Sequence, residues 1–144
     1  MKVIVQRSKK SSVSVDNKLI NKIDRGLVLL VGFTEGDTEE KLVNMAKKIV
    51  NLRIFDDETG VMNKSIIDVG GEILSISQFT LYADATKGNR PSYIKAMKGD
   101  KAIVLYEKFN DELNKYIKTY PGVFGADMQV NILNDGPVTI LLEL

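Results

Sequence analysis

A chain of 144 residues, 44% hydrophobic and 27% charged, can bury a core and is too apolar to be disordered, so one folded domain spanning 1–144 is expected. The absence of cysteine and histidine excludes disulfides, thiolate zinc sites, thiol nucleophiles and any Ser-His or Cys-His relay. A formal net charge of +1 argues against a protein that grips many phosphates of a duplex, so a nucleic-acid partner would be touched locally.

No apolar run reaches the ~20 residues of a spanning helix, and Met1-Lys2-Val3-Ile4-Val5-Gln6-Arg7 turns polar too soon for a secretory signal; a cytoplasmic protein without membrane contact is expected. Val3 to Arg7 and Val13 to Val15 read as short strands, and Leu19 to Ile23 follows the Asp16-Asn17 turn. Leu27 to Phe33 is apolar without alternation, as expected of a central strand covered on both faces.

Gly36-Asp37 opens a helix, with Asp37 as N-cap and Glu40 in capping-box position. Leu42, Met45, Ala46, Ile49 and Val50 fall on one face, while Lys41, Lys47 and Lys48 form a solvated one. Leu52 to Phe55 suits a short strand. Asp56-Asp57-Glu58-Thr59-Gly60 lacks the alternating ligand spacing of a calcium loop and reads as an acidic turn. No metal or cofactor is implied by these motifs.

Glu72 to Tyr82 reads as one strand. Its alternation accounts for Ser75 and Ser77 but not for the close grouping of Ser77, Gln78 and Thr80 near its end, where layered α/β folds place their sites. Lys87 to Tyr93 reads by default as a solvated loop, although Lys87 and Arg90 beside a polar cluster could also hold a phosphate. A second helix is expected from about Asp100 to Tyr120, with Ala102, Leu105, Tyr106, Phe109, Leu113, Tyr116 and Ile117 on its apolar face, stopped by Pro121-Gly122.

Met128 to Leu133 and Val138 to Leu144 look like two more strands, and Asp135-Gly136 between them is a strong hairpin signal. Pro137 disturbs that pattern, since a proline there removes a ladder donor where the returning strand should begin pairing. A Gly-Pro bond can also be cis at modest cost, which would present two successive carbonyls as acceptors. The element order predicts helices on a sheet with a second sheet layer behind, a three-layer α/β/β domain with two main helices on a mixed, largely antiparallel sheet system.

Ser77-Gln78-Phe79-Thr80-Leu81, Lys87-Gly88-Asn89-Arg90-Pro91-Ser92, Gly122-Val123-Phe124-Gly125-Ala126-Asp127-Met128 and Asn134-Asp135-Gly136-Pro137-Val138-Thr139 together resemble the signature blocks of bacterial-type D-aminoacyl-tRNA deacylases, in order and along the whole chain. The resemblance implies a homodimer that hydrolyses the ester between a D-amino acid and the 3′-terminal adenosine of tRNA. It also implies a cis Gly136-Pro137 loop that enters the partner's site, faces Ser77, Gln78, Phe79 and Thr80 there, and is steadied by Arg7. Phe124 and Met128 match positions lining an adenosine pocket, and Ala102 one where the second helix borders the substrate.

An aminoacyl ester is already activated, so an enzyme without histidine can act by positioning it, by supplying oxyanion donors such as the Phe79 or Thr80 N–H, and by admitting water or the ribose 2′-hydroxyl. Thr80 as a covalent nucleophile is the alternative role, ranked lower because no partner is evident to deprotonate it. Two rival functions remain open at this level: a non-catalytic dimeric module that binds RNA ends, and a hydrolase of another activated acyl ester.

Overall fold

The computed structural model describes residues 1–144. Five strands form the main sheet: β1 (Lys2–Ser8), β4 (Gly26–Gly32), β7 (Glu72–Ser77), β8 (Thr119–Pro121) and β10 (Asn134–Glu143), in the order β10-β1-β4-β7-β8. β10, β1 and β4 pair antiparallel, whereas β4, β7 and β8 run parallel. The unbroken apolar run predicted to be central is β4, with neighbours on both sides. A smaller antiparallel sheet, β3-β2-β9, joins β2 (Ser11–Val15), β3 (Lys18–Ile23) and β9 (Gln129–Asn131). β5 (Phe55–Asp56) and β6 (Met62–Lys64) make a two-stranded ribbon, slightly later than the strand expected at Leu52 to Phe55.

The layers follow from side-chain alternation. Val5, Leu27, Leu29, Val31 and Ile73 point to one face, where helices α1 (Glu39–Val50) and α2 (Gly99–Asn114) cover them. Val28, Leu74 and Ile76 point to the other face and join Val13 and Ile23 of the small sheet. This is the expected α/β/β arrangement with two main helices. No helix is long and apolar enough to cross a membrane.

Four local expectations need correcting. The N-cap of α1 is Thr38, whose hydroxyl accepts from Lys41 N at 3.4 Å; Asp37 instead accepts from the Met1 amino group at 2.5 Å and from Thr34 N at 2.9 Å. Because the cap lies one residue later, Glu40 is only the second helical residue and falls outside capping-box position.

α2 stops at Asn114, although the apolar periodicity continues through Tyr116 and Ile117. The Asn114 side chain accepts from Thr119 N at 2.9 Å and turns the chain into β8, which pairs with β7.

β7 ends at Ser77, and Phe79–Tyr82 coils into a 3-10 turn. Gln78 N still donates to Val31 O at 2.7 Å, but β4 has run out at Gly32. A Cβ on Gly32 would sit 2.8 Å from Gln78 O, so the turning chain crosses where only glycine leaves room.

The predicted hairpin does not form. β9 pairs with β2 in the small sheet and β10 with β1 in the main one, so the chain changes layers between them. The β1–β2 connection makes the same crossing alongside, held by Lys9 N to Leu133 O at 3.0 Å and Leu133 N to Ser11 Oγ at 3.1 Å. Opposite this corner, Gln6 pairs with Thr139 and Ser8 with Asn134, so Arg7 alone faces Asp135 to Val138. The excess residues bulge from the ladder where Pro137 cannot donate. The Gly136-Pro137 bond is cis, and Gly136 has φ +119°.

Candidate active site

Where β4 and β7 end, the start of α2 and the segment 124–130 close over a cavity of about 500 Å³. Six of the residues singled out in the sequence line it together: Ser77, Gln78, Phe79, Ala102, Phe124 and Met128. Ser77 is the last residue of β7, Ala102 sits in the first turns of α2, and Phe124 and Met128 lie in the loop between β8 and β9. Thr80 stands outside the lining but is tied to it, since Gln78 Nε2 donates to Thr80 Oγ1 at 2.6 Å.

That hydrogen bond comes from a neutral amide, and no carboxylate or amine bonds the Thr80 hydroxyl. The geometry therefore offers Thr80 no base. The amides of Phe79 and Thr80 open the 3-10 turn, where first N–H groups lack an acceptor inside the helix, and neither takes part in a loop or turn bond. Both are uncommitted donors at this end of β7.

Two contributors were missed in the sequence. Asp127 is the one ionisable residue on the cavity lining, and nothing in the residues around it in the sequence marks it as such. Tyr106 falls on the apolar face of α2 by its spacing and is indeed buried, yet its hydroxyl donates to Ser75 O at 2.7 Å and its ring lies 5.8 Å from that of Phe124. It ties the Phe124 wall of the cavity to β7. Burial pushes the Tyr106 phenol above its usual pKa, so it remains a neutral donor.

The other predicted site residues lie elsewhere. Arg7 is 9% exposed; its Nη1 donates to Ile54 O at 2.8 Å and pairs with Asp56 at 3.4 Å. Its Nε reaches both the backbone oxygen and the carboxylate of Asp135 at 3.3 Å. A Cβ on Gly136 would come 3.1 Å from Arg7 Nη2, so guanidinium and loop are in close contact.

This loop is far from the cavity of its own chain. It lies level with Gln6–Ser8, hence with Val28–Gly26 and Leu74–Glu72, whereas the cavity lies past Gly32 and Ser77. Four residues along the strands and three strands across separate them by roughly 20 Å at ordinary sheet spacings. Lys87 and Arg90 are exposed on a loop and make no ion pair. Asp84 fastens the base of that loop. Hydrogen bonds from the Thr86 hydroxyl and amide, with Lys95 beside it, hold the Asp84 carboxyl at about 2.

The side chains around the cavity supply hydroxyl, carboxamide and carboxylate groups, with no imidazole or thiol, and no three or more Asp or Glu gather to hold a metal. Such a set suits hydrolysis of a substrate that arrives already activated. The family model described as D-Tyr-tRNA(Tyr) deacylase matches residues 4–143. A solved structure described as c-Myc DNA Unwinding Element Binding Protein superposes with a TM-score of 0.94 at 44% identity, covering 100% of this chain and 99% of the other. Another, described as a probable eukaryotic D-amino acid tRNA deacylase, superposes with a TM-score of 0.84 over 99% of this chain and 98% of the other; at 18% identity it shows the shared fold.

The chain is thus an enzyme, a hydrolase acting on the ester bonds of aminoacyl-tRNA. It belongs to the D-Tyr-tRNA(Tyr) deacylase family.

Proposed function

We propose that residues 1–144 act as one deacylase domain of a cytoplasmic homodimer. The enzyme releases D-amino acids from the 3′ end of tRNA and rejects L-aminoacyl-tRNA through the Gly136-Pro137 loop of the partner subunit. The observation that carries this reading is the separation of loop and cavity. A loop anchored by Arg7 roughly 20 Å from its own cavity, by sheet spacings, has no role there, but a two-fold axis would bring it to the cavity of a second copy. β10 supports the dimer: it is a ten-residue edge strand that leaves Leu141 59% exposed, a surface that monomers usually protect.

In this reading the terminal adenosine lies between Phe124 and Met128, Ala102 borders the substrate, and the ester carbonyl meets the Phe79 and Thr80 amides. Ser77 and Gln78 shape the polar wall, and Gln78 orients Thr80. As the carbonyl becomes tetrahedral, the negative charge on its oxygen is met by donors already fixed in place, which lowers the barrier without a protein base. Water, oriented with help from the ribose 2′-hydroxyl, attacks the carbonyl carbon; the bond from that carbon to the 3′-oxygen breaks, and the 3′-oxygen leaves with the water's proton. The partner's Gly136 and Pro137 carbonyls receive the substrate amine and leave no room for an L side chain. Lys87 and Arg90 meet phosphates. Discrimination by a clash cannot reject a substrate without a side chain, so glycyl-tRNA is cleaved as well.

A second role in binding nucleic-acid ends, beside the deacylation, is the other reading. It is favoured by the name of the 44% identical structure, a DNA unwinding element binding protein. Turnover tests the first and retention of uncharged RNA or DNA ends the second, because the deacylase releases D-tyrosine from D-tyrosyl-tRNA whether or not it also holds an uncharged end. The cross-subunit site is tested by mixing Ala102→Phe, which fills the cavity, with Gly136→Val, which distorts the loop. Each variant alone is expected to be nearly inactive. Co-refolded at equal amounts, they should regain about a quarter of wild-type activity, since half the dimers then carry one intact site of two. No recovery despite verified mixed dimers would sink the cross-subunit reading.

A further inference from the structure

Beside the cavity, three large apolar side chains are exposed on the single chain. Phe79 is 57% exposed, Tyr93 44% and Ile94 89%. The two rings meet edge to face with centroids 5.2 Å apart at 65°. Their backbone is firmly held. Ser92 and Asp84 exchange two bonds of 2.8 Å, Met97 N donates to Phe33 O at 2.9 Å, and Thr34 Oγ1 donates to Lys95 O at 2.6 Å. The patch is therefore a fixed surface that a ligand finds already organised.

Two features identify the ligand. Phe79 lines the cavity and also belongs to the patch, so whatever fills the cavity continues across it. The adjoining loop and the start of α2 carry exposed cations, Lys87, Arg90 and Lys98, none of them in an ion pair; the nearby Asp84 is engaged by Lys95, while Asp100 and Asp127 are exposed carboxylates without an ion pair. Exposed aromatic rings edged by unpaired cations suit a chain of flat bases joined by phosphates.

We propose that Phe79, Tyr93 and Ile94 form a stacking platform for the unpaired nucleotides just before the terminal adenosine of the substrate RNA, with Lys87 and Arg90 taking their phosphates. This rests on the deacylase reading in one respect, that the adjoining cavity holds the terminal adenosine. The platform gives the enzyme a grip on the RNA strand that is independent of the amino acid. Its contribution to substrate recognition is then the same for D- and L-esters, and chiral selection is left to the other side of the cavity.

The test is binding of a 5′-labelled ACCA tetraribonucleotide and of AMP to the full chain, followed by fluorescence anisotropy and by displacement. Tyr93→Ala should weaken tetranucleotide binding on the order of tenfold and leave AMP unchanged, whereas Tyr93→Phe, which keeps the ring, should match wild type. Removing Lys87 and Arg90 by Lys87→Ala and Arg90→Ala should flatten the salt dependence of log K by about 0.7 per cation. Unchanged tetranucleotide affinity in Tyr93→Ala, or an equal loss for AMP, overturns the platform. So does a change in its oligomeric mass, because the patch would then be a contact between subunits. Turnover of D-tyrosyl-tRNA in the same preparations separates the two readings. Wild type that binds through Tyr93 without turnover removes the deacylase reading alone, and turnover indifferent to Tyr93 removes the platform alone.

Discussion

Replacing Arg7 by alanine tests both the packing at the corner of the main sheet and the role in selectivity proposed for it. The guanidinium is 9% exposed and donates to Ile54 O at 2.8 Å in a buried bond, so its loss strands that carbonyl at a cost of about 1–3 kcal/mol. Its carboxylate partners add less, because Asp56 is 54% and Asp135 33% exposed and water replaces much of what the arginine gave them. A total of about 2–3 kcal/mol corresponds to a Tm lower by roughly 5–10 °C in a domain of this size, and the variant should still fold. The bulge of Asp135 to Val138 would lose its one facing side chain, so selectivity should suffer more than turnover of the D-ester. Arg7→Lys should recover part of the stability and little of the selectivity, since a single ammonium cannot bond Ile54 O and Asp135 together. Thermal unfolding and single-turnover deacylation of matched D- and L-tyrosyl-tRNA measure the two effects. An Arg7→Ala protein with unchanged Tm, or one that has lost stability but discriminates like wild type, would refute the reasoning.

Further outcomes are expected. Thr80→Ala should keep the D-ester rate within about tenfold of wild type, because Thr80 Oγ1 only receives the Gln78 amide; a loss of 10⁴-fold or more, with a trapped acyl-enzyme in the wild type, would make it the nucleophile. Asp84 is held at about 2, below its unfolded value near 4, so its support for the 84–95 loop is complete above the unfolded value and is lost as pH falls through 2. An NMR titration of its carboxyl carbon should show this midpoint in wild type and a higher one in Thr86→Ala, and identical midpoints would contradict the assigned cause. Glycyl-tRNA should be cleaved alongside the D-alanyl ester on the same tRNA body, while the L-alanyl ester persists; a glycyl ester as resistant as the L-ester means that a D side chain is recognised positively.

Much of the fold was legible because burial imposes its own period. The unbroken run at Leu27 to Phe33 has the pattern of a strand covered on both faces, and Leu42, Met45, Ala46, Ile49 and Val50 mark the buried face of α1. The errors lie where a distant segment overrides a local pattern. Apolar spacing continues through Tyr116 and Ile117, but Asn114 Oδ1 captures Thr119 N and β7 offers a ladder to the chain beyond. Asp135-Gly136 looks like a hairpin turn, yet each flanking strand has a better partner in a different sheet. The strand read through Tyr82 ends at Ser77 because β4 ends at Gly32, which nothing within residues 72–82 encodes.

The cavity shows the same division. Ser77, Gln78 and Thr80 stood out in the sequence because polar residues interrupted an apolar strand, and their convergence with Ala102, Phe124 and Met128 required the parallel pairing of β4 with β7. Tyr106 could not be distinguished from its apolar neighbours, because its function depends on one carbonyl, that of Ser75, on another element. The Gly136-Pro137 loop is the most instructive case. Its sequence gives it unusual backbone, and the strand register sets it roughly 20 Å from the cavity of its own chain at ordinary sheet spacings. Arg7 nevertheless holds it with a buried guanidinium, an expensive group to bury for a loop with nothing to do. A motif built rigidly at one end of the sheet and a cavity left open at the other are complementary halves of one site only if two chains meet, so the oligomeric state and the chirality of the reaction become a single structural question.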